Sequence, residues 1–355
     1  MKENLDSLIR ELVDGSTAAN IDIDKDSKES TAREKIFLGE EDYMDQMLHV
    51  VRPLLEKNCK KSYFSSFDGV KIYYETYKHP QEKAAVVMSH GFCEFTKKFE
   101  EVIFYFFQEG YSVYILDHRG HGYSQRMVKD KSKVFINSYD EYVQDFHEFV
   151  TTIVRKNNLN RNLVLYAHSM GGAIAALYLE QYPKEFSCAI LSSPMLEIDF
   201  GKNPSPLVWL VMLYKKLTHS EEDYVSGHGA FDAIPMFEAS SCLSKARYQD
   251  IFAKRMQDEN YHTYGASCAW TLSSIRAVRK LKRKERLIQT SILLFQAGND
   301  TTVRPKGQKL FAQRSKNTKL VVIPKSKHEI YNGDTKIREE YYRNIFTFLE
   351  RQLST

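Results

Sequence analysis

Three side chains far apart in this chain are of the types that nucleophilic catalysis needs. Ser169 lies within "LVLYAHSMGGAIAALYLEQYP", Asp300 closes "SILLFQAGND", and His328 sits at the end of "KLVVIPKSKHE". A hydroxyl is a weak nucleophile at neutral pH and needs a base within hydrogen-bond reach. The base in turn needs a carboxylate that fixes its tautomer and stabilises the imidazolium. Taken singly, Asp300 reads as a loop acid and His328 as a surface histidine. Serine, aspartate and histidine in that chain order, each following an apolar run, suit acyl transfer through a covalent serine ester.

The local pattern around Ser169 supports this. Leu163, Val164, Leu165 and Tyr166 read as a buried strand, and residues 172–181 as a helix that Pro183 stops. So abrupt a change forces the apical residue into strained backbone geometry and needs small neighbours, which Ala167, Gly171 and Gly172 supply. The usual G-x-S-x-G pattern has glycine where Ala167 stands. The plain alternative is a serine that only caps the helix. Acyl transfer also needs donors for an oxyanion. The backbone N–H of Met170 is one candidate, and the N–H of Phe92 in "SHGFCE" is the other. Cys93 beside it has no elbow of its own and is expected to be a packed thiol.

These residues must be positioned by the elements around them. Short apolar runs ("AAVVMSHG", "YSVYILDHRGHG", "CAILSSPM") alternate with amphipathic stretches, which predicts an α/β fold: a mostly parallel sheet with helices on both faces. Sites in such sheets lie at the carboxyl ends of the strands. "SYFSSFDGVKIYYETY" predicts a hairpin about Asp68-Gly69. Residues 1–60 are expected to form an N-terminal arm, partly flexible, with a helix near 40–57. Residues 61–197 and 283–355 are expected to form the core, and 198–282 an inserted helical cap.

The chain has 355 residues, 43% of them hydrophobic, enough for a large core. A net charge of +4 does not argue for nucleic acid. The acidic N-terminus lacks the apolar stretch of a secretory signal, and no window reaches the length of a membrane span. Five cysteines, odd in number and scattered, fit reduced thiols in a cytoplasmic protein, monomeric or a small homo-oligomer. His118 and His121 lack the accompanying ligands of a metal site, so no metal or cofactor is expected.

From about residue 60 onward the chain resembles α/β-hydrolases of the bacterial lysophospholipase and monoacylglycerol lipase group. The segments that carry the likeness are "SHGFCE", "ILDHRGHGYS", "AHSMGGAIAALYL", "LSSPM", "LLFQAGNDTTV" and "IPKSKHEIYN". Alanine at the head of "AHSMGG" is similar to the lysophospholipase branch. The resemblance implies Ser169 as nucleophile, Asp300 as acid, His328 as base, and Phe92 and Met170 as oxyanion donors. It implies a serine esterase acting on a single-acyl glycerolipid, a lysophospholipase first, with monoacylglycerol lipase or general carboxylesterase as the alternative. An aminopeptidase would need a carboxylate for a free amine; Glu221, Glu222 and Asp223 lie in the cap with nothing to aim them at Ser169. A silent binding protein on this fold commonly lacks a triad member, and none is missing here. Within the cap, "SPLVWLVMLYKKL" is strongly apolar, and Trp209, Leu210, Met212 and Leu213 are candidates to line an acyl channel; otherwise the helix is buried core. The basic run "RAVRKLKRKER" reads as a solvated helix face, with attraction to an anionic membrane surface as the second option.

Overall fold

In a computed structural model of the chain, residues 36–158 and 162–354 are described, so the expected flexible arm lies outside them. The chain divides into residues 1–36 and a compact unit of residues 37–355. The central sheet contains β1 (Cys59–Ser65), β2 (Lys71–Tyr77), β3 (Ala84–Ser89), β4 (Tyr111–Leu116), β5 (Leu163–His168), β6 (Cys188–Ser192), β7 (Ser291–Ala297) and β8 (Thr318–Ile323). Their spatial order is β1-β2-β4-β3-β5-β6-β7-β8. β2 runs antiparallel to β1 and β4, and every pairing from β4 to β8 is parallel. The expected hairpin is β1–β2, turning at Gly69, whose φ of 82° is open to glycine and strained for other residues.

Strands β3 to β6 read as unbroken apolar runs because both faces are covered. Alternate residues of β5 divide between two cores: Leu163, Leu165 and Ala167 join one, Val164 and Tyr166 the other. The first core takes residues from α3 (Tyr139–Glu148) and α4 (Met170–Gln181). The second takes Tyr43, Met47, Val51 and Leu55 from α1 (residues 43–58), together with α2 (Glu100–Gln108) and α9 (Thr335–Leu353). The helix expected near 40–57 is therefore α1, and its apolar side packs into this core.

Between β6 and β7 lie α5 (Ser205–Leu217), α6 (Lys245–Gln257) and α7 (Cys268–Lys284); α8 (Pro305–Arg314) follows β7. A short strand, Gly265–Ala266, pairs with Lys133–Val134. Ala277 and Leu281 of α7 enter the first core, whereas α6 is held to the second layer by buried charge. Glu101 on α2 accepts from Arg247 Nε and Nη2 and from Arg338 Nη1, each at 2.8 Å. Arg52 and Lys254 share Glu100 and Asp250 in the same way.

Taking one member out of such a cluster leaves buried charge uncompensated, typically at a cost of about 3–5 kcal/mol. Glu101→Leu is therefore expected to lower unfolding free energy in urea by about that amount. A loss of less than about 1 kcal/mol would mean that the cluster does not anchor α6.

Candidate active site

Ser169 stands between the last residue of β5 and the first of α4, with φ 52° and ψ −117°. A non-glycine residue at positive φ persists only where its surroundings over-determine it. Ser169 N–H donates to the Ser192 carbonyl at 3.1 Å, and its own carbonyl accepts from Gly172 and Met195, each at 2.9 Å. The small neighbours are required sterically. A Cβ on Gly171 would lie 2.2 Å from the Ser89 carbonyl oxygen, and one on Gly172 2.5 Å from the Pro194 Cβ. The Ser169 side chain accepts no N–H of its helix, so the capping alternative does not describe it.

The other two residues come from adjacent strand ends. The loops after β7 and β8 are locked together: Gly298 N–H donates to Ile323 O and Asn299 N–H to Ser326 O, each at 2.9 Å. This brings His328 Nδ1 to 2.7 Å from Asp300 Oδ2 and His328 Nε2 to 2.8 Å from Ser169 Oγ. With the proton on Nδ1 donated to Asp300, Nε2 is free to accept from the serine. Asp300 Oδ1 accepts from the Thr302 and Val303 N–H groups. Burial pushes this carboxyl upward, but His328 and those N–H groups outweigh burial and leave it below its ordinary value.

Phe92 and Met170 N–H groups make no hydrogen bond among the described residues. The turn that carries Phe92 is fixed on both sides. Gly91 N–H donates to Glu94 Oε2, and the Phe92 ring packs on Trp270 of α7 with centroids 4.2 Å apart. Cys93 is a half-buried thiol whose pKa burial raises, as expected of a packing residue. His118 Nε2 lies 2.9 Å from Ser89 Oγ, and His121 Nδ1 3.1 Å from the Arg119 carbonyl, so both serve the loop's internal bonding.

A buried ionic group beneath the triad was not picked out in the sequence. Lys98 Nζ donates to Glu94 Oε1 at 2.8 Å and to Glu329 Oε1 at 2.7 Å. Tyr331 OH donates to Glu94 Oε1 at 2.7 Å. Lys98 thereby ties the Phe92 turn to the His328 loop across 231 positions of sequence. His168, with its ring 4.9 Å from that of His328, is lowered to about 4 mainly by burial and stays neutral at pH 7. Glu94 and Lys98 were visible in "HGFCEFTKK" as an i,i+4 pair, but nothing local joins them to Glu329.

The four cap candidates do not form one surface. Met212 is buried against Cys268 and Leu272, Trp209 lies under the Arg279 guanidinium, Leu213 is half-buried, and Leu210 is exposed. Residues 209–213 follow one another around a helix, so no single wall can carry all four. The helix is not buried core either. Leu207, Leu210, Val211, Tyr214 and Leu217 line one outward face, with exposures from 44% to 72%.

Lys98→Met would leave Glu94 and Glu329 facing each other without a cation. Turnover of a p-nitrophenyl ester, read as kcat, is expected to fall about tenfold or more, and Lys98→Arg is expected to restore most of it. Equal kcat in Lys98→Met and wild type would show that the tie between the loops is dispensable.

The Hydrolase_4 family, described as serine aminopeptidase S33, matches residues 80–335. Lysophospholipase L2 of Escherichia coli is 25% identical over 299 residues, covering 82% of this chain and 87% of its own. A monoacylglycerol lipase of Mycolicibacterium smegmatis is 26% identical over 272 residues, covering 76% and 90%. Among solved structures, a carboxyl esterase of Bacillus coagulans aligns with a TM-score of 0.67 at 20% identity, covering 83% of this chain and 99% of that one. The fold is that of the α/β-hydrolases. With its match extending from β3 into the last helix, this chain belongs to the Hydrolase_4 family.

Proposed function

We propose that this protein hydrolyses the acyl ester of single-acyl glycerolipids, lysophospholipids first among them, through an acyl-enzyme on Ser169. The observation that carries the reading is the continuous relay from Ser169 Oγ through His328 to Asp300. His328 Nε2 takes the hydroxyl proton as Oγ attacks the ester carbonyl, and Asp300 holds the imidazolium. The Phe92 and Met170 N–H groups receive the oxyanion. Collapse of the tetrahedral intermediate releases the alcohol, protonated by His328. Water then attacks the acyl-enzyme with His328 again acting as base. Every step uses side chains and backbone of this chain.

The relatives named as lysophospholipase and monoacylglycerol lipase support a lipid acyl ester, and they leave monoacylglycerol or a simple carboxylic ester as the second reading. The family's aminopeptidase description finds less support in the geometry. Asp223 pairs with Lys215, and the buried carboxylates close to the triad, Glu94 and Glu329, are both held by Lys98. These carboxylates are already engaged by lysines rather than free to receive an ammonium.

Ser169→Ala and His328→Ala are each expected to lower kcat on p-nitrophenyl esters by about three orders of magnitude or more. The double variant should be little worse than either, because the pair acts as a unit. Asp300→Asn should be milder. Losses that multiply in the double variant would contradict the assignment.

Among the described residues no helix is long and apolar enough to cross a membrane. Contact with a bilayer surface, at the cytoplasmic face, is part of the proposal. α5 packs beside α7, which presents Arg276, Arg279 and Arg283, while Lys280 and Lys282 pair with Asp140 and Glu197. Apolar side chains flanked by cations suit the headgroup region of an anionic leaflet. A Leu207→Asp, Leu217→Asp double variant is expected to lose co-sedimentation with phosphatidylglycerol vesicles, at least tenfold in affinity, by roughly 0.8 kcal/mol per methylene withdrawn from the lipid. Undiminished sedimentation would remove α5 as the contact surface.

A further inference from the structure

Two half-buried arginines beside the Phe92 turn have no carboxylate partner among the described residues. Elsewhere the buried arginines are neutralised directly: Arg119 by Asp68 and Asp145, Arg247 by Glu40 and Glu101, Arg338 by Glu101. Arg126 and Arg255, among the described residues, touch only carbonyl oxygens and rings. Arg255 Nη2 donates to the Cys93 carbonyl at 2.5 Å and Nη1 to the Thr263 carbonyl at 3.0 Å. Its guanidinium lies over the rings of Phe95 and Phe231. Arg126 Nη1 donates to Ser124 O at 3.2 Å and Nη2 to Asn260 O at 2.6 Å. Its Nε is buried without a hydrogen-bond partner.

Both guanidinium groups reach the same segment of the cap, Arg126 at the Asn260 carbonyl and Arg255 at the Thr263 carbonyl, and Arg255 also reaches the Cys93 carbonyl of the Phe92 turn. Cys93 directly follows Phe92, whose N–H points at the reacting carbonyl in the proposed mechanism. The carboxylates that face these arginines are committed elsewhere. Glu94 and Glu329 bind Lys98. Asp117 accepts the N–H groups of Thr96 and Tyr123, and Asp258 accepts from Tyr123 OH and Asn260. Burial is the leading influence on both guanidinium groups and lowers their pKa, as expected where no ion pair offsets desolvation.

Two guanidinium groups with spare N–H donors are the usual means of holding a phosphate. We propose that Arg126 and Arg255 form the subsite for the phosphate of a glycerophospho headgroup, on the alcohol side of the ester that Ser169 attacks. This rests on the acyl-ester hydrolase reading and deepens it, because it favours a lysophospholipid over a monoacylglycerol. The acyl chain and glycerol are common to both substrates; only the phosphate engages the arginines.

The test has two arms. In the first, calorimetric binding of sn-glycerol 3-phosphate, glycerol and inorganic phosphate is measured on wild type, Arg126→Gln, Arg255→Gln and Arg255→Lys. Glycerol 3-phosphate should bind best and weaken about tenfold or more in each glutamine variant, as for loss of a charged hydrogen bond, with Arg255→Lys intermediate. Phosphate binding as tightly as glycerol 3-phosphate would overturn the headgroup assignment. In the second, kcat/KM is measured for a lysophosphatidic acid and for the monoacylglycerol of the same chain. The ratio should favour the phospholipid in wild type and fall about tenfold in the glutamine variants. An unchanged ratio, or equal losses on both substrates, would overturn the subsite. Glycerol 3-phosphate bound through both arginines by a protein that cleaves no ester would keep the subsite and overturn the hydrolase reading.

Discussion

Everything at this site depends on one strained residue. Ser169 occupies a backbone region that costs of order 1–3 kcal/mol for a side chain to hold, and the fold sustains it by close packing beneath the turn. Gly171 rests against the carbonyls of Ser89 and His90 at the end of β3, and Gly172 against Pro194 after β6. The elbow is thus clamped by the strands on both sides of β5. That contact aims Oγ at His328 and sets the first N–H of α4 beside it.

A second constraint acts on the loops around the elbow. The Phe92 turn, the His328 loop and α6 come from distant parts of the chain and are joined by buried charged side chains. Lys98 connects the first two, and Arg255 connects the first to α6 through the Cys93 carbonyl. Glu101 fixes the other end of α6. Buried ions gain little net stability over apolar packing, but they specify geometry sharply when each has one set of partners. Such specification is what a relay of three side chains requires.

How much could be read from the sequence follows from how local each signal is. The elbow was legible because strand, serine, glycines and helix are contiguous, and the meeting of Ser169, His328 and Asp300 because chain order and strand ends restrict the choice. The hairpin about Gly69 was legible for the same reason. Lys98 and Glu329 were not, since an ion pair across 231 positions leaves no periodic trace. Nor was the role of α5. A strongly apolar helix reads as core or channel, whereas here its exposed residues recur at helical spacing on the outer face and Met212 alone of the four candidates is buried. Arg126 and Arg255 resemble any other cations in the sequence until their hydrogen bonds to carbonyl oxygens, with the facing carboxylates bound elsewhere, are seen in three dimensions.

The central claim is that Ser169, activated by His328, is the nucleophile, and reaction with a fluorophosphonate tests it most directly. Intact-mass and peptide mass spectrometry after brief exposure should find a single adduct, on Ser169, absent in Ser169→Ala and strongly slowed in His328→Ala. An adduct on any other residue, or an unmodified Ser169 in folded protein, would contradict the account.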